Sequence, residues 1–170
     1  VLASALIGAQ AQVSIKFGEG QSEEEARPQQ DAESVKLPAY PKEDDLVGFF
    51  VSAANDFKFL VDGKSITIDG SIIRFTLIAR SPQGVSNVSY EAIRCSSSEY
   101  RIYAIGHADR TWAKRTTPWR EIKPQSVQRW RYALRSDYFC PAGVPILSAE
   151  EGIDALKRGR NPLLDRNDGF

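Results

Sequence analysis

The sequence contains no methionine, one histidine and two cysteines in 170 residues. With His107 alone, a Ser-His-Asp arrangement would have to combine it with Asp109 and a serine such as Ser96, Ser97 or Ser98, and no G-x-S-x-G elbow is present. The same scarcity leaves a zinc site short of soft ligands, and there is no C-x-x-C pair. A Walker A loop, G-x-G-x-x-G and H-E-x-x-H are all missing, so nucleotide and zinc-protease chemistry have no support and no cofactor is implied. No apolar run reaches the roughly 18 residues that a membrane-spanning helix needs.

What is present is organised around residues 71–107, which read as three strands separated by polar turns. Ile73, Phe75, Leu77 and Ala79 alternate with Arg74, Thr76 and Arg80, the period of a strand with one buried face. Ile72 and Ile78 break that alternation, which predicts partial cover on the second face as well. A turn at 81–84 leads to a strand with Val88, Tyr90 and Ala92 opposed to Asn87, Ser89, Glu91 and Ile93. After Ser96–Ser98, a third strand sets Tyr100, Ile102 and Ala104 against Arg101, Tyr103, Ile105 and His107. Short turns between consecutive runs favour antiparallel neighbours.

Upstream, Leu46–Ala53, Phe57–Asp62 and Ile66–Asp69 read as three more strands. Asp62-Gly63 and Asp69-Gly70 have the composition of hairpin turns. Six strands in sequence is the expectation, with TrpArgGluIle at 119–122 as one more short one. Residues 126–138 carry Val127, Trp130, Leu134 and Tyr138 on one stripe of a helix, with Arg129, Arg131 and Arg135 away from it or at its margin. A second helix is marked by Ser148 and Glu151 as a capping box and by Gly159 as a stop. The fold class is α+β: an antiparallel meander sheet of about six strands with two C-terminal helices packed on it.

Residues 1–11 are apolar and end in Ala9-Gln10-Ala11, the small-x-small pattern of a cleaved secretory signal peptide. The initiator and any basic region would then lie upstream. Residues 19–45 hold nine acidic against three basic residues, whereas from 46 onward there are 13 acidic and 18 basic. Residues 12–45 therefore read as an acidic flexible linker with Leu37–Pro41 extended along the body, or as a tail that docks on the basic body or on a partner. A single domain is expected over 46–158, followed by a loose tail at 159–170.

In an exported chain, Cys95 and Cys140 are most simply a disulfide. No metal site is expected. Asp62, Asp69, Glu91 and Glu99 could supply a carboxylate pair for glycoside chemistry, although each is more simply a turn or solvent-face residue. The one pattern suited to a binding surface is the interleaving of Arg110, Trp112, Arg115, Trp119, Arg129 and Arg131. Indole faces and guanidinium groups suit an anionic ligand; the alternative is core tryptophans edged by solvating arginines. Nucleic acid is a less available partner for an exported chain.

The ordered strings F-K-F-L-V-D (57–62), R-F-T-L-I-A-R-S (74–81), N-V-S-Y-E-A-I-R-C (87–95), Y-R-I-Y-A-I-G (100–106) and D-Y-F-C-P-A-G (137–143) resemble the cryptic neisserial protein family. The resemblance covers about residues 46–158. It implies a small exported proteobacterial protein of the Gram-negative envelope, periplasmic or associated with the outer membrane, with no established activity. Some members look like lipoproteins, and this sequence lacks the lipobox cysteine. The function expected is non-enzymatic binding of an envelope partner or ligand; the alternative is a hydrolase using His107.

Overall fold

The computed structural model describes residues 34–125 and 127–165. The expected signal-peptide end at 1–11, the acidic stretch to 33, Ser126 and residues 166–170 lie outside the described residues. The fold is that of the unit beginning at Val35.

Six strands run as consecutive antiparallel neighbours: β1 (Leu46–Phe49), β2 (Lys58–Asp69), β3 (Ile72–Arg80), β4 (Ser86–Arg94), β5 (Glu99–Gly106) and β6 (Trp112–Lys114). A seventh, β7 (Arg120–Glu121), pairs with the other end of β5, close to the short strand expected at 119–122. The sheet is the expected meander and the class is α+β.

The count is reached differently, however. Phe57–Asp62 and Ile66–Asp69 are not two strands but the two halves of β2, and Trp112–Lys114 supplies the sixth. Asp62 pairs with Thr76 and Thr67 with Arg74, so residues 63–66 bulge opposite Phe75. Ser65 mends the ladder there: its hydroxyl donates to the Asp62 carbonyl at 2.7 Å and accepts the Thr76 N–H at 2.7 Å. A hairpin at Asp62-Gly63 would need positive φ. Gly70 takes it at +56°, in the expected turn, and Gly63 does not.

A second bulge resets β5. Tyr90 pairs with Ala104 but Glu91 with Ile102, leaving Tyr103 as the extra residue. The parity flips there, so Ile105 joins Tyr100 and Ile102 on one face instead of opposing them.

That face carries the helices. Helix α1 (Arg129–Ala133) starts later than the apolar stripe predicts and runs on as a π-helix over Leu134–Phe139. The wider turn sets Phe139 above Leu134, so Leu134, Tyr138 and Phe139 all enter the core. They meet Val61, Ile73, Phe75 and Ile93 from the sheet, together with Ile146 and Leu156. Helix α2 (Ala149–Arg158) has the expected ends: Ser148 Oγ accepts the Glu151 N–H at 3.2 Å, and Gly159 is left-handed at φ +85°. Glu151 in turn accepts the Leu147 N–H at 2.8 Å. Cys95 and Cys140 are joined, with Cα atoms 5.5 Å apart, tying the end of β4 to the end of the π-helix.

Both boundaries of the folded body lie outside the expected 46–158. At the N-terminal side, Pro38, Tyr40 and Pro41 pack on the opposite face of the sheet, against Trp112, His107 and Arg110. At the C-terminal side, the presumed tail contains fully buried Asn161, whose amide donates to the Tyr138 carbonyl at 3.0 Å and whose Oδ1 accepts the Leu163 N–H at 2.9 Å. It opens the short helix α3 (Pro162–Asp165).

Candidate ligand cleft

The helical layer covers only part of its side of the sheet. Beyond the start of α1, the sheet face carrying Phe59, Leu77, Ala79, Ser89, Ile102 and Ile105 stays open, and a cleft of about 550 Å³ lies there. Phe57, Val127 and Trp130 complete its walls, with Trp130 stacked on Phe59 at 5.2 Å between ring centroids. Phe57 and Val127 are 41% and 94% exposed at the mouth, with Asn55 and Asn87 beside them.

Glu91 and Arg131 line the same cleft and are buried, with side chains 1% and 5% exposed. Arg131 Nε donates to Glu91 Oε2 and Nη2 to Oε1, both at 2.7 Å, the two-pronged geometry in which a guanidinium best matches a carboxylate. Ser89 Oγ donates to Glu91 Oε1 at 2.6 Å. Arg131 Nη1 donates to Gln128 Oε1, which also accepts the Tyr100 hydroxyl at 3.2 Å, and the guanidinium lies 4.1 Å from the centre of the Tyr100 ring. The pair is thus a neutral, internally bonded floor beneath apolar walls.

Glu91 is therefore not a solvent-face residue, and Arg131 is not at a polar margin. On β4 the alternate set Ser89, Glu91, Ile93, Cys95 is the set that faces the helices. One signal was available in the sequence: Glu91 lies on the same parity as Ile93 and Cys95.

The six arginines and tryptophans of the interleaved stretch do not gather into one surface. Arg110 and Trp112 meet around Tyr40 on the face away from the helices. Trp119 lies on that face too, between Arg94 at 4.0 Å and Arg101 at 5.0 Å from its ring. Arg115 is exposed, Arg129 is exposed at the head of α1, and Arg131 is buried beneath the cleft. The tryptophan lining the cleft is Trp130, part of the helical stripe rather than of that set.

His107 follows β5 and Ser96–Ser98 precede it. An eight-residue strand holds them about 25 Å apart, too far for a hydrogen-bonded triad. Among the carboxylates, Glu99 pairs with Arg94 at 2.9 Å and Asp69 with Arg74 at 3.3 Å. Among the described residues, no three His, Cys, Asp or Glu side chains converge as a metal site would need.

Asp62 is 5% exposed, and burial raises its carboxyl above the ordinary value; the Lys64 N–H at 3.0 Å opposes this and nearby Asp45 adds to it. The unfolded chain gives up this proton first, so its stability contribution falls as pH rises from the unfolded value near 4 through the higher folded one. Asp62→Asn is expected to be more stable than the parent at pH 7, with the advantage shrinking toward pH 4. Urea melts at the two pH values check this.

A family profile matches residues 24–157. The chain belongs to the CNP1-like family. The CNP1-like match takes in both faces of the sheet, both cysteines and the Glu91–Arg131 pair. No curated protein and no solved structure matches the chain.

Proposed function

We propose that the protein is an exported, non-enzymatic binding protein of the cell envelope, and that its ligand seats an apolar group in the cleft beside α1. The observation that carries this reading is the combination of apolar walls with a polar floor that is already satisfied. The volume of about 550 Å³ is in the range that takes a small ligand. Glu91 and Arg131 hold each other in a two-pronged pair at 2.7 Å, so neither presents an unpaired charge to an anionic ligand. That shifts the expected ligand from an anionic to an apolar one.

Export is supported by the small-x-small pattern at 9–11 and by the joined cysteines, because structural disulfides persist in oxidising compartments. The resemblance to cryptic neisserial proteins points to the same compartment. Among the described residues no helix is long and apolar enough to cross a membrane.

The neutral apolar dye N-phenyl-1-naphthylamine tests the cleft. It is expected to bind one per chain and to quench Trp130 emission. Ala79→Phe, which places a ring against Phe59 inside the cleft, is expected to weaken binding at least tenfold while leaving the melting curve near that of the parent. Equal dye binding by parent and variant would remove the cleft from the account. Cell fractionation checks export separately: a soluble periplasmic species beginning at Gln12 is expected.

A further inference from the structure

The face away from the helices holds a second arrangement, independent of the cleft. Pro38–Pro41 lie on it as a strap. Leu37 and Tyr40 each precede a proline, which biases both toward extended backbone, and Pro38 and Pro41 have their φ fixed. These restrictions favour a polyproline II form in the strap.

The body receives it through side chains. Trp112 Nε1 donates to the Pro38 carbonyl at 3.0 Å, and Arg110 Nη2 donates to the Pro41 carbonyl at 3.3 Å. The Tyr40 ring lies 5.2 Å from Trp112, and its hydroxyl donates to the His107 carbonyl at 3.0 Å. Gly106 makes room for that ring: a Cβ there would come within 2.7 Å of the Tyr40 hydroxyl and 2.9 Å of its Cε2.

Arg110 is held in place at a cost. It sits at φ +65°, in a turn closed by Arg110 N–H to His107 carbonyl at 3.0 Å and His107 N–H to Thr111 carbonyl at 2.9 Å. A left-handed backbone is unfavourable for a residue with a Cβ, and glycine would avoid that. The guanidinium uses the position to reach Pro41 and to lie 5.8 Å from the centre of the Tyr40 ring.

An indole N–H and a guanidinium reading carbonyls of prolines, beside an aromatic slot, is the chemistry by which grooves recognise polyproline II segments. We propose that the groove of Trp112, Gly106, His107 and Arg110 is a peptide-docking site for extended segments carrying a tyrosine between two prolines. The chain's own Pro38–Pro41 is its resident occupant, and a partner protein bearing such a segment takes the groove by displacing it. The contacts read prolyl carbonyls and one ring, which a second chain can present as well as the first. Release needs little else to move, because pairing of Leu46–Phe49 with β2 holds the chain from Leu46 onward.

The test uses the full chain carrying Tyr40→Ser and Pro41→Gly, which frees the strap, and a dye-labelled synthetic peptide spanning residues 35–42, read by fluorescence anisotropy. The freed chain is expected to bind the peptide at least tenfold more tightly than the intact chain, where the tethered strap competes at an effective concentration of the order of millimolar. Trp112→Phe in the freed chain keeps a ring but loses the N–H, and is expected to lose most of that binding; so is a peptide with serine in place of its tyrosine. Should the freed chain lose its native circular dichroism, Pro38→Ala with Pro41→Ala loosens the strap without touching a buried side chain and is expected to show the same preference. A strap-loosened, natively folded chain that binds the peptide no better than the intact one would overturn the proposal. So would binding indifferent to Trp112→Phe.

Discussion

Arg131→Ala is expected to lower the unfolding free energy by about 3–5 kcal/mol, the loss typical of leaving one member of a buried ion pair without its partner. Glu91 would remain nearly inaccessible with only the Ser89 hydroxyl to bond it. The exposed pairs are a contrast: Lys64, 78% exposed, holds Asp45 at a similar distance, and removing it is expected to leave the unfolding curve close to that of the parent. Replacing both members, as Glu91→Leu with Arg131→Met, is expected to recover most of the loss because no charge is then stranded. Urea unfolding of the parent, the single and the double variant measures all three. A single variant within 1 kcal/mol of the parent would mean that water reaches Glu91 through the cleft.

Removing the disulfide is the second large effect. Cys95 and Cys140 enclose a loop of 45 residues, and loop-closure entropy puts the loss on reduction, or in Cys140→Ala, at about 4 kcal/mol. The helical layer should respond most. The disulfide pins the end of the π-helix to the sheet, and Phe139, next to Cys140, packs on Phe75 at 5.3 Å. Guanidinium unfolding with and without reductant gives the number. A loss of about 4 kcal/mol is a large share of the roughly 5–15 kcal/mol that small domains hold in total.

Much of the fold was legible in the sequence because it follows local rules. Alternation in Ile73–Ala79, broken only at Ile78, marked which side of β3 faces the helices, Gly70 marked its turn by needing positive φ, and Ser148 with Gly159 bounded α2. What escaped depended on contacts between distant segments. The bulge at 63–66 rests on Ser65 bridging two strands, and the flip at Tyr103 on pairing with β4. The apparent tail was ordered by Asn161 reaching the Tyr138 carbonyl.

The site was hidden for a related reason. A glutamate on a strand and an arginine on a helix each read as solvated, and only their meeting across 40 positions makes a buried neutral pair. Conversely, the density of Arg and Trp in 110–131 looked like one surface in the chain. The turn after β5 and the long crossing to α1 distribute those residues over both faces of the sheet.

The most direct measurement is a titration of the oxidised chain with N-phenyl-1-naphthylamine, alongside Ala79→Phe. One saturable site with Trp130 quenching in the parent, weakened at least tenfold in the variant, is the result the account predicts. Absence of a saturable site in the parent, or a site untouched by Ala79→Phe, would contradict it.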